Sequence, residues 1–298
     1  MAMKLAFSNS LSPELDLDTL IELSKAWGYD GIQFTPRDAK LNLPADLPTL
    51  RRKLDEAGQT LTCLHAGALP GQADRHAPAP AIQHVRECIA LAAEIGSPFV
   101  SVSGCRVPAG MSKVGATEKD TLALRGLAVE ALRRRVTLLF ENAGAFSSSQ
   151  DAWFLRDAAG VPALRLCLNV VNARAAGDPP SVAIPRLAAA TSLLRLGDAE
   201  FGTDHRVTRH VACGTGELDV PRVVELLKGL AYEGWLCVHW PQAARKQLPP
   251  AEELLPAAAK YLRGELDKPT VVLTAYQGDR NAPRFAVRPA DRAPESES

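Results

Sequence analysis

The chain of 298 residues lacks an excess of charge of either sign, because 34 Lys and Arg residues are balanced by 34 Asp and Glu residues. A protein with no bulk field is poorly suited to gather nucleic acid or an anionic membrane surface, so we expect neither as a partner. Uninterrupted apolar runs also stay well short of the ~20 residues that span a bilayer. These absences favour a protein that acts on a small and fairly neutral molecule.

Paired cysteine motifs are absent as well. The six cysteines lie far apart and form no C-x-x-C pair: Cys63, Cys88, Cys105, Cys167, Cys213 and Cys237. The first residues, MAMKLAFSNS, lack the apolar core of a secretory leader. We therefore expect reduced thiols in a cytoplasmic protein, and neither a disulfide framework nor a zinc knuckle.

Short apolar runs alternate with longer amphipathic runs, which is typical of repeated βα units around a buried parallel sheet. Eight strands are predicted, at residues 4–8, 31–35, 60–65, 98–104, 136–142, 164–169, 192–196 and 235–240. No G-x-G-x-x-G follows the first strand, which disfavours an open dinucleotide-binding sheet. The prediction is an α/β protein with one (β/α)8 TIM barrel domain over residues 1–265.

Local signals support several of the predicted helices. Asp16 is a candidate N-cap before an amphipathic run that Gly28 ends, and Asp219 is another, with Pro221 tolerated in the first helical turn. The sixth unit is the weakest, because GDPPSVAIPRLAAAT holds three prolines and predicts a loop with a short helix. A long loop follows the seventh strand. The composition of residues 266–298 predicts a C-terminal extension that is partly disordered.

In a barrel of this type the functional groups lie at the carboxyl ends of the strands. Polar residues end nearly every predicted strand: Asn9, Gln33, His65, Cys105, Glu141 with Asn142, Asn169 with Asn172, Arg195 with Asp198, and His239 with Trp240. Any one of them could simply mark where a strand turns polar. Glu141 stands out because it ends an apolar strand, and a buried carboxylate is costly unless a cation or hydrogen-bond donors meet it.

The chain resembles the xylose-isomerase-like barrels, a family of sugar isomerases and epimerases that also includes endonuclease IV-type repair enzymes. The matching segments cover roughly residues 4–262 and include AWGYDGIQF, LTCLHA, VTLLFEN, LCLNVVN and WLCVHW. Each segment is weak alone, and their order and spacing carry the resemblance. It implies a divalent metal held by residues that end the fifth to eighth strands.

This sequence departs from the family's ligand pattern at three of those four strands. Glu141 meets the pattern; Asn169 replaces the usual Asp, with Asn172 where a His often follows; Arg195 replaces the His, with Asp198 kept; and His239 replaces the Glu. Arg has no lone pair to give a metal and stays charged. We therefore expect no resident metal or cofactor, unless Glu141 and His239 recruit His205, His210 or Asp204 from the long loop.

Two functions remain open from the sequence. In the first, Glu141 and His239 transfer a proton next to the carbonyl of a sugar, polyol or sugar acid, while Arg195 stabilises the developing anion. The residues predicted to bind the substrate are His65, Asn142, Asn169, Asn172, Asp198 and Trp240. In the second, the barrel binds a small molecule or partner without turning it over. A repair endonuclease is disfavoured by the neutral charge, and a homo-oligomer stays open.

Residues 214–219, GTGELD, permit two interpretations. Their backbone N–H groups could hold a phosphate in front of the seventh helix. The simpler interpretation, which we prefer, is a tight turn that leads into a capped helix.

Overall fold

The computed structural model describes residues 3–36, 47–69, 80–107 and 109–269. Eight parallel strands form a closed barrel in which β10 pairs with both β1 and β7. The barrel strands are β1 (Lys4–Ser8), β2 (Gly31–Phe34), β3 (Thr60–Ala68), β4 (Phe99–Ser103), β5 (Thr137–Glu141), β6 (Arg165–Asn169), β7 (Thr191–Leu196) and β10 (Trp235–Val238). The predicted (β/α)8 barrel is confirmed.

The described helices surround this barrel. They are α1 (Leu17–Ala26), α2 (Leu47–Ala57), α3 (Pro80–Ile95), α4 (Lys113–Arg133), α5 (Ser149–Ala159), α6 (Val170–Ala175), α7 (Pro180–Leu187), α8 (Val220–Gly229) and α9 (Ala251–Asp267). Each packs an apolar face on the outside of the strands. The last of them, α9, completes the ring after the eighth barrel strand.

Helix α1 shows how local sequence determines an element. The Asp16 carboxylate accepts a hydrogen bond from the Thr19 N–H at 2.8 Å and caps the first turn. Leu20 and Ile21 lie on the buried face. Gly28, with φ of +80°, takes the left-handed conformation that ends the helix at little steric cost. The N-cap predicted at Asp219 is also formed, since its carboxylate accepts from the Arg222 N–H at 3.1 Å.

Two connections differ from the sequence prediction. In the sixth unit, residues 177–191 form a loop and the short helix α7 as predicted, but a further short helix, α6, precedes them and was not predicted. The segment after β7 is an antiparallel hairpin of β8 (Asp198–Phe201) and β9 (Val207–Val211), not a long loop. Both strands of the hairpin are short, and β9 is only partly buried. They therefore lack the continuous apolar run that predicts the barrel strands.

The barrel interior is filled with apolar side chains that are small or medium in size apart from Trp235, and three of the six cysteines are among them. This interior cluster comprises Ala6, Cys63, Leu139, Cys167, Leu193, Trp235 and Cys237. Burial raises the pKa of the Cys63 thiol to about 11, so this thiol stays protonated and inert. The interior is therefore a packed core, and chemistry has to take place above it.

No helix in the described part of the chain is both long and apolar enough to cross a membrane. One compact unit reaches Lys268, and a second begins at Pro269. Helix α9 continues through the boundary expected at 265/266. From residue 270 onward the C-terminal extension lies outside the described residues, so its partial disorder stays a prediction.

Candidate active site

A cavity of about 350 Å³ opens at the carboxyl ends of the barrel strands. Six of the nine residues predicted from the sequence line it: His65, Glu141, Asn169, Asn172, Arg195 and His239. The structure therefore brings together residues from β3, β5, β6, β7 and the end of β10. Asn142, Asp198 and Trp240, which were expected to bind substrate, do not line it.

A second, larger cavity of about 500 Å³ lies at the opposite end of the barrel, beside Arg165, Thr191 and Trp235. These residues begin β6, β7 and β10. Barrel enzymes of this architecture carry out their chemistry at the carboxyl ends, whereas the amino ends serve stability. We therefore take the smaller cavity as the candidate site in spite of its size.

The centre of the candidate site is a buried ion pair across the barrel. Arg195 Nη1 lies 2.5 Å from Glu141 Oε2, and the two side chains are 2% and 3% exposed. The same carboxylate oxygen accepts from the Ser103 hydroxyl, and Oε1 accepts from Asn169 Nδ2 at 2.9 Å. Burial favours the neutral acid, but the Arg195 charge and the donors outweigh it and lower the pKa of Glu141 to about 2. Glu141 is thus a fixed anion whose two oxygens are committed to donors.

The far side of the Arg195 guanidinium is held by β2. Arg195 Nε donates to Gln33 Oε1 at 2.9 Å, and Gln33 Nε2 donates to the Ser8 hydroxyl at 3.1 Å. Arg195 therefore spans the barrel from Gln33 on one wall to Glu141 on the other. Because both ends are anchored, the guanidinium is held in one orientation before any ligand arrives.

Three asparagines brace the Glu141 side of the cavity. Asn142 accepts from the Asn169 N–H at 2.6 Å and donates to the Ser147 and Asn169 carbonyls. Asn169 in turn caps α6 through the Asn172 N–H. Asn142 is 1% exposed, so its donors and acceptor are committed to the backbone. It positions Asn169 rather than contacting a ligand.

Two neutral histidines face the cavity from well-separated strands. His65 Nδ1 lies 3.0 Å from the Ser101 hydroxyl. Burial and then the Arg195 charge lower the pKa of His65 to about 3, and the same two causes lower the pKa of His239 well below its ordinary value. Both imidazoles are therefore uncharged at neutral pH.

Three buried nitrogens of side chains that line the cavity have no hydrogen-bond partner within the described part of the chain: Arg195 Nη2, His239 Nδ1 and His210 Nδ1. Buried polar groups in folded proteins are nearly always paired. All three belong to side chains that line one cavity, so a polar ligand bound there could supply the missing partners.

Asp198 has a structural task. Its carboxylate accepts from the N–H groups of Gly214 and Gly216, both at 2.9 Å, and of Leu218 at 3.1 Å. The backbone cradle that could have held a phosphate is therefore filled by a carboxylate of the chain itself, which excludes the phosphate interpretation of residues 214–219 in this conformation. The preferred alternative, a tight turn into a capped helix, agrees with the structure.

Trp240 is also structural, because it is 1% exposed and its indole N–H donates to the carbonyls of Asp198 and Val211, at 3.3 and 3.0 Å. It ties the eighth barrel strand to both strands of the β8–β9 hairpin. Because this hairpin carries Val207 and His210 into the cavity wall, Asp198 and Trp240 shape the site from outside.

The residues present do not fit the divalent metal that the resemblance implies. The guanidinium of Arg195 occupies the position beside Glu141 from which a cation would balance the carboxylate. Of the loop residues that could have been recruited, only His210 lines the cavity; His205 pairs with Arg174 and Asp204 with Arg206 on the exposed hairpin tip. Among the described residues, no three His, Cys, Asp or Glu side chains lie close enough together to hold an ion.

Some functional positions escaped the sequence prediction. Ser103 and Ser10 line the cavity, and Gln33 orients Arg195. The sequence identifies Gln33 only as a polar strand end. For the fourth strand it indicates Cys105, which does not line the cavity, whereas Ser103 does. A serine at the end of a buried strand, one strand from an isolated Glu, was the available signal.

The family model described as xylose isomerase-like TIM barrel matches residues 21–265. The chain belongs to this family. No curated protein matches the chain by sequence.

Several solved structures have similar folds, and three of them illustrate the range of similarity. An IolI protein with a bound zinc atom superposes with a TM-score of 0.77 at 17% identity, covering 89% of this chain and 98% of that one. An L-ribulose 3-epimerase gives a TM-score of 0.73 at 16% identity, over 89% and 94% of the two chains. The 3-keto-D-glucoside 4-epimerase YcjR from E. coli gives a TM-score of 0.71 at 16% identity, covering 88% of this chain and 98% of that one. At such identities the similarity establishes the fold alone.

Proposed function

We propose that this barrel is an isomerase or epimerase of a sugar, or of a polyol that carries a keto group, and that it moves a proton next to the carbonyl without a divalent metal. The observation that carries the proposal is the pre-oriented Arg195–Glu141 ion pair beneath neutral histidines in one cavity at the catalytic end of the barrel. Membership of a family whose similar structures include two epimerases supports the reaction class.

In the proposed reaction, His239 is the base. Its imidazole takes a proton from the carbon beside the substrate carbonyl, and the electrons of the broken C–H bond move to the carbonyl oxygen. Arg195 Nη2, the unpaired donor, hydrogen-bonds that oxygen as it becomes negative. The imidazolium then returns the proton to the former carbonyl carbon, while the proton of the neighbouring hydroxyl moves to the negative oxygen. The carbonyl and the hydroxyl have then exchanged places, and charge and protons balance.

Glu141 has a different part from the one expected from the sequence. Its two carboxylate oxygens accept from Arg195, Ser103 and Asn169, so neither is free to take a proton, whereas His239 Nδ1 has no partner among the described residues. In the proposal it holds Arg195 in place and balances its charge in the resting site. His65 keeps its Nδ1 on Ser101, which leaves Nε2 as a neutral hydrogen-bonding group for the substrate, as imidazole can act without being protonated.

The test is conversion of a panel of aldoses, ketoses and polyols in D₂O, followed by NMR, with and without a chelator. We expect conversion that the chelator does not abolish and deuterium on the carbon next to the carbonyl. His239→Gln should lower kcat by roughly 10²–10⁴-fold. His205→Gln, on the exposed hairpin tip outside the cavity, is the matched control. Restoration of activity only by added metal would contradict the metal-free mechanism.

One observation favours a second candidate, a barrel that binds a small molecule without converting it. Glu141 is held by three donors, so the acid at the centre of the site is not free to act on a ligand. Ligand stabilisation follows mass action, so a thermal-shift series would reveal the ligand class of an inactive protein too. A sugar that raises Tm but shows neither conversion nor deuterium exchange would favour this candidate over the enzyme.

A further inference from the structure

The charges around the candidate site cancel within the site itself. Of the described side chains that line the cavity, only Glu141 and Arg195 carry a charge at neutral pH, because the pKa values of His65, His210 and His239 are all lowered by burial. The two charged groups are paired at 2.5 Å. The resting cavity therefore presents polar groups but no uncompensated positive charge to a ligand.

An anionic ligand would meet a penalty in such a cavity. Its charge would leave water without a free cation to receive it, and a buried charge without a partner is costly. Arg195 could serve an added anion only by sharing a guanidinium that already has Glu141 and Gln33 as partners. A carboxylate or phosphate would also lie near the Glu141 anion and be repelled by it.

The second place where an anion could have been held is already filled. The N–H groups of Gly214, Gly216 and Leu218 converge as they do in anion-binding turns, but the Asp198 carboxylate accepts all three. The described part of the active-site end thus contains two arrangements suited to an external anion, and in each of them an internal carboxylate takes the position.

The unpaired atoms specify what the cavity does offer. Arg195 Nη2 is a donor only, whereas the Nδ1 atoms of His239 and His210 can donate or accept in neutral imidazole. A ligand that satisfies all three needs an acceptor oxygen and further groups that both donate and accept. Hydroxyl groups flanking a carbonyl have this chemistry and add no charge.

We infer that the cavity selects an uncharged polyhydroxy compound, a free ketose, aldose or polyol, and discriminates against sugar acids and sugar phosphates. This rests on the proposed function for the location and general class of the site, and it narrows the expected ligands by excluding the sugar acids. The discrimination originates in the Arg195–Glu141 pair, which leaves the site neutral.

The direct test is a binding comparison at pH 7 by titration calorimetry and thermal shift. The probes are four-, five- and six-carbon ketoses and polyols, the aldonates of the same chain lengths, and ketose phosphates. We expect at least one uncharged probe to bind, and its aldonate and phosphate counterparts to bind at least tenfold more weakly. Equal or tighter binding of the charged counterparts, or no binding by any probe, would overturn the inference.

Glu141→Gln tests the origin of the discrimination, because it keeps the shape of the side chain and frees the Arg195 charge. In this variant the preference for the uncharged probe over its aldonate should shrink by at least tenfold or reverse. Asp204→Asn makes the same carboxylate-to-amide change on the exposed hairpin tip and should keep the wild-type preference. An unchanged preference in folded Glu141→Gln, checked by circular dichroism, would refute the assigned cause; if that variant does not fold, the wild-type ranking decides alone.

The outcome separates this inference from the proposed function. Binding of uncharged sugars without conversion or deuterium exchange would remove the proposed enzyme and leave the ligand class standing. Conversion of a sugar acid or sugar phosphate that also binds more tightly than its uncharged counterpart would refute the inferred ligand class and leave the proposed enzyme standing.

Discussion

Arg195 and Glu141 depend on each other, because each is a buried charge that the other neutralises. Arg195→Met would leave the carboxylate at 3% exposure without its cation, and breaking a buried pair in this way costs about 3–5 kcal/mol. The double variant Glu141→Gln with Arg195→Met removes both charges and should recover most of that loss. Urea unfolding at pH 7 of the wild type, both single variants and the double variant measures the coupling. If the double variant lost as much unfolding free energy as the two single variants together, the two side chains would not be coupled.

Asp120 on α4 is a residue whose ionisation should limit stability. It is 2% exposed, its Oδ2 has no partner among the described residues, and burial raises its pKa from 3.8 to about 7. The folded protein therefore binds this proton more tightly than the unfolded chain does. As a result, this residue lowers stability as pH rises from about 4 to about 7, and its penalty is complete above that.

Asp120→Asn should consequently stabilise the protein at pH 8, by about 1–3 kcal/mol after allowance for partial solvation, and have little effect near pH 4. Denaturant unfolding at the two pH values measures the difference. Asp157→Asn, at an exposed position on α5, is the matched control and should change neither value appreciably. A gain for Asp120→Asn that was the same at both pH values would rule out ionisation as the cause.

At the scale of elements, the β8–β9 hairpin is the part of the site wall that depends most on one residue. The Asp198 carboxylate binds the N–H groups of residues 214–218 to the start of β8. Asp198→Ala should leave those groups unpaired, at a cost of about 1–3 kcal/mol each where they stay buried. The hairpin would then loosen and His210 would lose its place in the cavity wall.

Hydrogen exchange gives the readout for this prediction. In Asp198→Ala we expect faster exchange at Gly214, Gly216 and Leu218 and weaker binding of any ligand found for the cavity. Exchange in β5 should stay as in the wild type, because Glu141 and Arg195 make no contact with this carboxylate. Asp204→Ala, at the exposed tip of the same hairpin, should leave the three amides protected; if it exposed them equally, the effect would not belong to Asp198.

For the whole molecule, buried neutral histidines make stability depend on acid. The pKa of His65 is lowered to about 3 and that of His239 well below 6.5, so the unfolded chain binds protons that the folded protein does not. Both contributions are complete above about pH 6.5 and are lost as pH falls below it, for His65 down to about pH 3. Each of the two histidines changes the free energy of unfolding by up to ~1.4 kcal/mol per pH unit in that window.

The double variant His65→Gln with His239→Gln should flatten the fall in unfolding free energy between pH 6.5 and 4, as measured by denaturant titration at several pH values. The Glu141 carboxylate acts at lower pH, because its stabilising effect is complete above about pH 4.5 and is lost as pH falls from there to about 2. A slope that is unchanged in the double variant would mean that other groups control the acid sensitivity of this barrel.

Much of the fold was accessible from the sequence, because its signals are local. Apolar runs such as that of residues 136–142 predict strands that are buried on both faces, and caps such as Asp16 define where helices begin. The hairpin was missed since β8 and β9 are short, mixed in polarity and stabilised by each other and by Asp198. The short helix α6 was not predicted, because its six residues are too few to show a helical period.

The sequence by itself determined that polar residues cluster at the carboxyl ends of eight parallel strands, with Glu141 the isolated acid and Arg195 where a metal ligand was expected. Only the tertiary structure decided which of these side chains meet. Arg195 reaches Gln33 and Glu141 across the barrel, and Asp198 turns away from the cavity to the 214–218 turn. The reason is physical: periodicity indicates which face a residue occupies, whereas contacts across the barrel depend on closure of strands that are distant in sequence.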